Sequence, residues 1–348
     1  PVLLVFALAC APGDSAVDAP AVEPDATIEW GLVMHGGAGT ITPDNMTPEL
    51  EAEYREKLAE AMGAGHAVLA GDGSSLDAVV AAITVLEDSP LFNAGRGAVF
   101  TAQGTNEMDA SIMDGATLQA GAVAGVTTVK NPIGLARLVM EASPHVLLAG
   151  AGAEEFGRLQ GVEMVDPEYF RTERRWRQLL RAQEAESEAG DPGPGAGPGA
   201  GPASPAMGPE RKFGTVGVVA LDRAGGLAAG TSTGGTTNKK WGRIGDSPVI
   251  GAGTYAGGGC GVSSTGTGEY FIRNVVAYDI CARVKYEGVT LAQAAHAVVM
   301  ERLEDQEPEL GGIIALDADG NVVMTFNTAG MYRGYIGPDG RAVTAIYR

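Results

Sequence analysis

The sequence predicts an α+β protein built from stacked layers of helix and of largely antiparallel sheet. Three observations point to it. Strand-like segments give way to helical periodicity and then to strands again, an order that stacks into layers. A hairpin signal stands in mid-chain, where two apolar runs are joined by Arg223-Ala224-Gly225-Gly226. Of 348 residues 45% are hydrophobic, only 6% are aromatic and 52 are glycine, which suits a sizeable core with closely approaching backbones.

The elements follow in order. Ile28 to His35 (IEWGLVMH) reads as an apolar strand that enters the glycine turn His35-Gly36-Gly37-Ala38-Gly39-Thr40. Thr47 or Pro48 opens a helix to about Leu69, with Leu50, Tyr54, Leu58 and Ala61 at helical spacing. Ser75 to Leu86 is a second helix, capped near Ser74 or Ser75. Short alternating segments between Phe92 and Val129, broken by glycines, read as strands, and helices follow at 131–140, 153–159 and 171–188. Residues 191–209 (DPGPGAGPGAGPASPAMGP) are a low-complexity linker with no means of burying a core. Strands at 213–222 and 227–232 form the hairpin, 268–286 and 290–303 are amphipathic helices, and strands at 313–316, 322–327 and 343–347 close the chain.

At the amino terminus an apolar run, Val2 to Ala9, ends at Cys10 in an Ala7-Leu8-Ala9-Cys10 pattern that resembles a bacterial lipobox. The run has the length of a signal-peptide core and is too short to span a bilayer. It predicts an exported protein, in the periplasm or at the outer membrane, with residues 1–26 as lipid anchor and tether through Cys10.

Composition excludes several classes of partner. Lys and Arg number 24 against 43 Asp and Glu, a net charge of −19 that repels phosphate backbones, so no nucleic acid is expected. His35, His66, His145 and His296 lack metal-binding spacing, and the last three read as satisfied structural histidines. Cys260 and Cys281 read as packed thiols rather than a redox pair.

The chemistry begins where the linker runs almost straight into a buried strand at Gly214-Thr215. A structureless loop of that length is uncommon inside a domain, and cleavage of the chain there accounts for it. A new amino-terminal Thr215 would carry its own base, because a free α-amine has a pKa near ~8. Gly214 would let the Thr215 hydroxyl reach the preceding carbonyl and cut the chain itself. Alone, Thr215 is an ordinary β-branched residue at a strand start. It is not alone. A hydroxyl-rich turn, Thr231-Ser232-Thr233-Gly234-Gly235, ends the hairpin. Gly242-Arg243-Ile244-Gly245-Asp246-Ser247-Pro248 offers a guanidinium fork for a carboxylate and an acceptor for an ammonium, the two charged groups of an amino acid. Ser264-Thr265-Gly266-Thr267-Gly268-Glu269 places a hydroxyl and free N–H groups at a helix start, suited to an oxyanion. Singly these are a polar turn, a surface ion pair and a helix cap.

With His35-Gly36-Gly37-Ala38-Gly39, the run Leu86 to Gly95 and Met108-Asp109-Ala110-Ser111-Ile112-Met113-Asp114-Gly115, they make seven motifs in one order. From about Leu32 to Tyr347 the chain resembles the plant-type asparaginase and isoaspartyl peptidase family of N-terminal nucleophile hydrolases. The resemblance implies a four-layer αββα sandwich, formed jointly by an α subunit (27–214, with the linker at 189–210) and a β subunit (215–348). It implies autocleavage at Gly214-Thr215, with Thr215 as nucleophile, Thr233 supporting its hydroxyl and Asn93 beside it. Arg243 would hold the substrate α-carboxylate and Asp246 its α-amine, with Thr265 and Gly266 forming the oxyanion hole. No catalytic cofactor is implied, but a structural sodium ion is, on carbonyls of Leu86, Glu87, Ser89, Phe92, Ala94 and Arg96. Two αβ units would pair into a heterotetramer. The implied substrates are β-aspartyl dipeptides and the side-chain amide of L-asparagine. Two competing readings are a glycosylasparaginase-like amidase, against which the His35-Gly36-Gly37 opening argues, and an inactive exported amino-acid-binding protein, against which Thr215, Thr233 and Thr265 argue. The glycine-rich run Gly257 to Gly261, slightly short for the family, leaves the approach to the oxyanion hole open.

Overall fold

The structure, a computed structural model, describes residues 26–189 and 214–348. The signal-like segment, Cys10 and the Gly/Pro linker lie outside them. No helix of the described residues is long and apolar enough to cross a membrane.

The first piece of chain contains β1 (Gly31–Gly39), α1 (Pro48–Ala70), α2 (Ser75–Glu87), β2 (Met108–Asp114), β3 (Ala120–Val126), α3 (Pro132–Ala142), β4 (Leu147–Ala149), α4 (Gly150–Leu159) and α5 (Glu173–Ala189). The second contains β5 (Val216–Leu221), β6 (Leu227–Thr233), β7 (Thr254–Gly257), β8 (Cys260–Gly266), α6 (Gly268–Asn274), α7 (Val276–Ala282), α8 (Leu291–His296), β9 (Gly311–Asp317), β10 (Val322–Phe326), β11 (Gly330–Ile336) and β12 (Ala342–Tyr347). Local chemistry sets the helix starts. The Thr47 hydroxyl accepts from the Leu50 N–H ahead of Pro48, and the Ser74 hydroxyl accepts from Asp77 N–H, each satisfying a donor that the helix leaves free.

The fold is mixed α/β with two sheets. Eight strands run in the order β12-β11-β1-β5-β6-β2-β3-β4, and four in the order β10-β9-β8-β7. Every pairing is antiparallel except β3 with β4. Strand alternation divides the apolar residues among three cores. Leu32, Met34 and Val218 face α1 and α2 with Leu58 and Ile83. Val33, Val219 and Ala229 point the other way, onto Ile314 and Leu316 of the smaller sheet. That sheet's far side, through Val262 and Ile313, packs on Ile280, Leu291 and Val298.

Three sequence expectations are corrected here. The helix expected over 268–286 is two helices, broken at Val275 in a left-handed conformation (φ 49°). The N–H groups of Ala277 and Tyr278 donate to the carbonyls of Ala252 and Gly251, so the second helix starts afresh on that turn. Cys260 and Cys281 are joined by a disulfide, because β8 and α7 pack face to face within one core and bring Cα atoms 21 positions apart in sequence to 5.5 Å. His66 stacks on Trp30 (5.3 Å between ring centres), but its Nε2 has no hydrogen-bond partner, so it is packed rather than satisfied. Strand β11 escaped the sequence reading because Gly330, Arg333 and Gly334 interrupt its apolar pattern. The glycine-rich run after Tyr255 is the tight β7–β8 hairpin turn, with Gly258 and Gly259 both at positive φ (63° and 80°), as a two-residue hairpin loop requires.

Candidate active site

Thr215 immediately precedes β5 in the middle of the larger sheet and is 8% exposed. Its hydroxyl lies 3.0 Å from that of Thr233, the last residue of the neighbouring β6. The Thr233 oxygen also accepts from the N–H of Gly235, which fixes that hydroxyl from the side away from Thr215. Two threonines at matching ends of paired strands are the local consequence of the hairpin register, in which Val216 pairs with Ser232.

Asn93 braces both sides of this pair. Its main-chain N–H donates to the carbonyl of Gly214 (2.8 Å), and its carbonyl accepts from Gly234 N–H (3.1 Å). Its side-chain amide donates to the Gly235 carbonyl (2.7 Å) and accepts from Val99 N–H (2.9 Å). Glycine is needed at two of these points. A Cβ on Gly214 would sit 2.8 Å from Asn93 Cβ, and one on Gly234 would sit 2.6 Å from Asn93 Oδ1.

Arg243 and Asp246 converge on Gly268 at the start of α6. A Cβ there would lie 2.8 Å from Arg243 Nη2 and 3.0 Å from Asp246 Oδ1. The Arg243 fork is engaged by both carboxylate oxygens of Glu269, at 2.9 and 3.0 Å. Asp246 Oδ2 is buried without a partner. Burial pushes the Asp246 carboxyl up to about 7, against the opposing pull of Arg243. A half-satisfied buried carboxyl of this kind is suited to receive a cationic group.

Thr265 ends the inner face of β8 and is fully buried, with Gly266 next to it. The Thr265 hydroxyl oxygen accepts from Ala38 N–H (3.4 Å), leaving its own proton free to be donated. That contact ties β8 to the glycine-rich end of β1, where the expected turn is instead strand, paired with β11 as far as Gly39 across a bulge between His35 and Gly37. His35, within β1, lies 3.0 Å from the Thr215 carbonyl through Nδ1 and 3.0 Å from the Ser263 hydroxyl through Nε2. Desolvation lowers its pKa to about 3, so it is neutral.

The loop from Leu86 to Arg96 closes on itself. A Cβ on Gly95 would meet the Glu87 carbonyl oxygen at 2.3 Å, and one on Gly97 would meet the Phe92 carbonyl oxygen at 2.0 Å. Carbonyls of Glu87 and Phe92 thus face inward across the loop. Leu86 and Ala94 carbonyls already accept from Ser89 and Gly97 N–H groups. Carbonyl oxygens are the donors a hard cation takes, but only two of the six expected carbonyls turn across the loop in this way and two are already engaged. Among the described residues no cluster of His, Cys, Asp or Glu could hold a metal ion.

The side chains of four residues around the site were not anticipated, although Asp109 and Glu87 lie within motifs of the sequence and Glu87 was expected to use its carbonyl. Arg175, read only as part of a charged helix, is 3% exposed and donates to the Gly97 carbonyl. Its Nη2 stands 3.5 Å from where a Gly214 Cβ would be, and burial lowers its pKa to about 10. Asp109 lies opposite Thr233 in the β2–β6 register, with Oδ2 buried and unpartnered and its pKa raised by burial. Lys239 is buried against the Glu107 carbonyl. The fourth is Glu87, whose Oε1 accepts from the Ser232 hydroxyl (2.6 Å) and Ile133 N–H (3.0 Å). For Arg175 and Lys239 a lone base was the only available hint.

The family described as asparaginase matches residues 28–346. The chain is 50% identical to the isoaspartyl peptidase of Escherichia coli over 323 residues, covering 91% of this chain and 96% of that protein. It is 42% identical to the plant-type L-asparaginase of Pyrococcus furiosus (86% and 94% covered). It is 41% identical to the isoaspartyl peptidase/L-asparaginase of Mus musculus (93% and 92% covered).

Proposed function

Because the chain belongs to the asparaginase family, we propose that it hydrolyses isoaspartyl peptides and the side-chain amide of L-asparagine with Thr215 as nucleophile. It is an enzyme, a hydrolase of the isoaspartyl peptidase and L-asparaginase type. The observation that carries the nucleophile assignment is the Thr215–Thr233 hydroxyl pair, placed directly behind a Gly214 carbonyl held by Asn93.

Maturation comes first in this reading. The Thr215 hydroxyl attacks the Gly214 carbonyl carbon, the C–N bond breaks to leave an ester and a free Thr215 amine, and water splits the ester into a Gly214 carboxylate and the restored Thr215 hydroxyl. That amine then takes the proton of the Thr215 hydroxyl as it attacks the substrate's side-chain carbonyl. The proton passes to the departing amine or ammonia, leaving an aspartyl ester on Thr215, which water hydrolyses to aspartate. Arg243 binds the substrate carboxylate, in place of Glu269, and Asp246 the ammonium. The Thr265 hydroxyl and Gly266 N–H stabilise the oxyanion, a contribution worth about 10²-fold or more in kcat.

The finer parts of the proposal rest on different supports. The helix–sheet–sheet–helix order of the αββα sandwich is supported by the three separate cores. A structural sodium ion is supported by the inward carbonyls of Glu87 and Phe92, with Leu86, Ser89, Ala94 and Arg96 completing the set; its role would be to fix the loop that presents Asn93. Pairing of two αβ units rests on the family resemblance. Export is supported by the Cys260–Cys281 disulfide, a bond that persists in oxidising compartments, while a tether through Cys10 rests on the lipobox-like sequence alone.

The test is intact-mass analysis with N-terminal sequencing. Two fragments are expected, the smaller beginning at Thr215 and absent from Thr215→Ala. A chain that stays whole and still hydrolyses β-aspartyl peptides would overturn the nucleophile assignment.

A further inference from the structure

A row of polar residues crosses the larger sheet just beneath the nucleophile. In register, His35 of β1 lies beside Gly217 of β5, Gly217 beside Thr231 of β6, and Thr231 beside Ser111 of β2. Paired residues share a face, so all four positions look toward the smaller sheet. Two of that sheet's residues complete a chain of contacts. Ser263 bridges His35 Nε2 (3.0 Å) and the Thr231 hydroxyl (2.6 Å). Thr254 bridges the Thr231 hydroxyl (2.5 Å) and that of Ser111 (2.8 Å). Ser111 then reaches the carbonyl of Ser247 (2.6 Å), the residue after Asp246. His35, Ser111, Thr231, Thr254 and Ser263 are all at 0% exposure.

Gly217 is what leaves room for the crossing. A Cβ there would lie 1.9 Å from Ser263 Oγ and 2.4 Å from His35 Nε2. The row is therefore a built polar path between two sheets whose facing core is otherwise largely apolar.

Proton counting gives the path a direction. The Thr215 carbonyl can only accept, so His35 carries its proton on Nδ1 and its Nε2 must accept from Ser263. Ser263 then accepts from Thr231, and Thr231 from Thr254. The path ends on pure acceptors, the Ser247 carbonyl and, 3.2 Å from the Thr231 hydroxyl, the Gly253 carbonyl, so it holds fewer hydroxyl protons than it has contacts. Ser111 must divide its proton between Thr254 and Ser247. Thr231 likewise has two acceptors, Ser263 and the Gly253 carbonyl, but at the other end the Thr215 carbonyl gives His35 a single tautomer and a single orientation.

We infer that His35 is a positioning residue, which fixes the main chain of Thr215 and, through Ser263, Thr231, Thr254 and Ser111, holds it in register with the loop that carries Asp246. The nucleophile comes from the larger sheet, and the amino-acid clamp hangs between β6 and β7. The hydroxyl path is the polar connection between them, so the distance from the Thr215 hydroxyl to a bound aspartyl carbonyl depends on it. A misplacement of about 1 Å at a reacting centre costs about 10²-fold in rate.

The inference rests on Thr215 being the nucleophile, and the experiment separates the two. His35→Asn keeps a donor near the Nδ1 position and His35→Gln keeps a polar group only near Nε2. In purified cut enzyme, with rates expressed per free Thr215 amino terminus, His35→Asn is expected to keep kcat for a β-aspartyl dipeptide within about tenfold. His35→Gln is expected to lose about 10²-fold, at similar melting temperature. Equal losses in both variants, or full activity in His35→Gln, overturn the inference. Should neither variant fold or mature, Ser263→Ala decides: a several-fold rise in KM with a fall in kcat supports the path, and unchanged constants overturn it. Cleavage of the wild-type chain at Thr215 stands as the separate check on the nucleophile itself.

Discussion

The N–H of Asn93 lies 2.8 Å from the carbonyl oxygen of Gly214, and its Cβ stands only 2.8 Å from where a Gly214 side chain would begin. The hydrogen bond would polarise the carbonyl that the proposed maturation attacks, and the close approach demands glycine. Gly214→Ala must push the two apart. A loss of about 1.4 kcal/mol of transition-state stabilisation is tenfold in rate, so cleavage is expected to slow at least about tenfold. A time course of fragment appearance on a denaturing gel measures this. Wild-type kinetics in the variant would mean that the Asn93 contact plays no part in cleavage.

Asp246 should make ligand binding depend on pH. With its carboxyl held up near 7 in the free enzyme, it is protonated below that pH and cannot pair with an α-ammonium. The affinity of cut enzyme for L-aspartate, measured by calorimetry between pH 5.5 and 8, should fall about tenfold per unit below 7. Asp246→Asn should bind weakly throughout. A wild-type affinity flat across the range would remove Asp246 from the clamp.

Glu87 should make stability depend on pH in the opposite direction. Burial raises it to about 8 from its ordinary 4.5, with the Ser232 and Ile133 hydrogen bonds opposing. Between those values the folded chain keeps a proton that the unfolded chain has lost. Its contribution is therefore present below the unfolded value and lost as pH rises through about 8, a total of up to about 5 kcal/mol. Urea unfolding of the uncut Thr215→Ala chain, with and without Glu87→Gln, should show the variant gaining on its parent from pH 5 to pH 9. A constant difference would mean that Glu87 is already ionised.

The Cys260–Cys281 bond closes a loop spanning 21 positions. Cross-linking a loop of that length stabilises by about 3 kcal/mol through the unfolded state. Reduction of the uncut chain should lower its melting temperature by several degrees and add the mass of two hydrogens. An unchanged melting temperature after complete reduction would contradict the constraint.

Much of the site was legible because its chemistry is local in sequence. Gly214-Thr215, the Thr231 to Gly235 turn and Arg243 with Asp246 each combine residue types that few other contexts require. Helices α1 and α2 were legible from periodicity and caps. Long-range pairing was not. Nothing in the sequence sets Ser111 beside Thr231, or β8 against α7, because strand register and layer stacking decide those contacts. The break at Val275 was hidden for the same reason: a continuous helical pattern was overridden by docking on the Gly251–Ala252 carbonyls. Arg175 and Lys239 were invisible as site residues, since a charged side chain acquires meaning only when burial removes its solvent.

The larger sheet draws alternately on the two sides of Gly214. Strands β12 and β11 come from after it, β1 from before it, β5 and β6 from after it, and β2, β3 and β4 from before it. Cutting the chain between Gly214 and Thr215 would therefore leave two polypeptides interleaved, each supplying strands that the other must flank. Neither could depart without breaking ladders in the centre of the sheet, so the nick would be silent under native conditions. It would show on refolding. The uncut chain regains its structure in a unimolecular search, whereas the cut pair must first meet, and its recovery would slow with dilution. Maturation would thus convert a protein that can be remade from its unfolded state into one whose persistence is set by how slowly it comes apart.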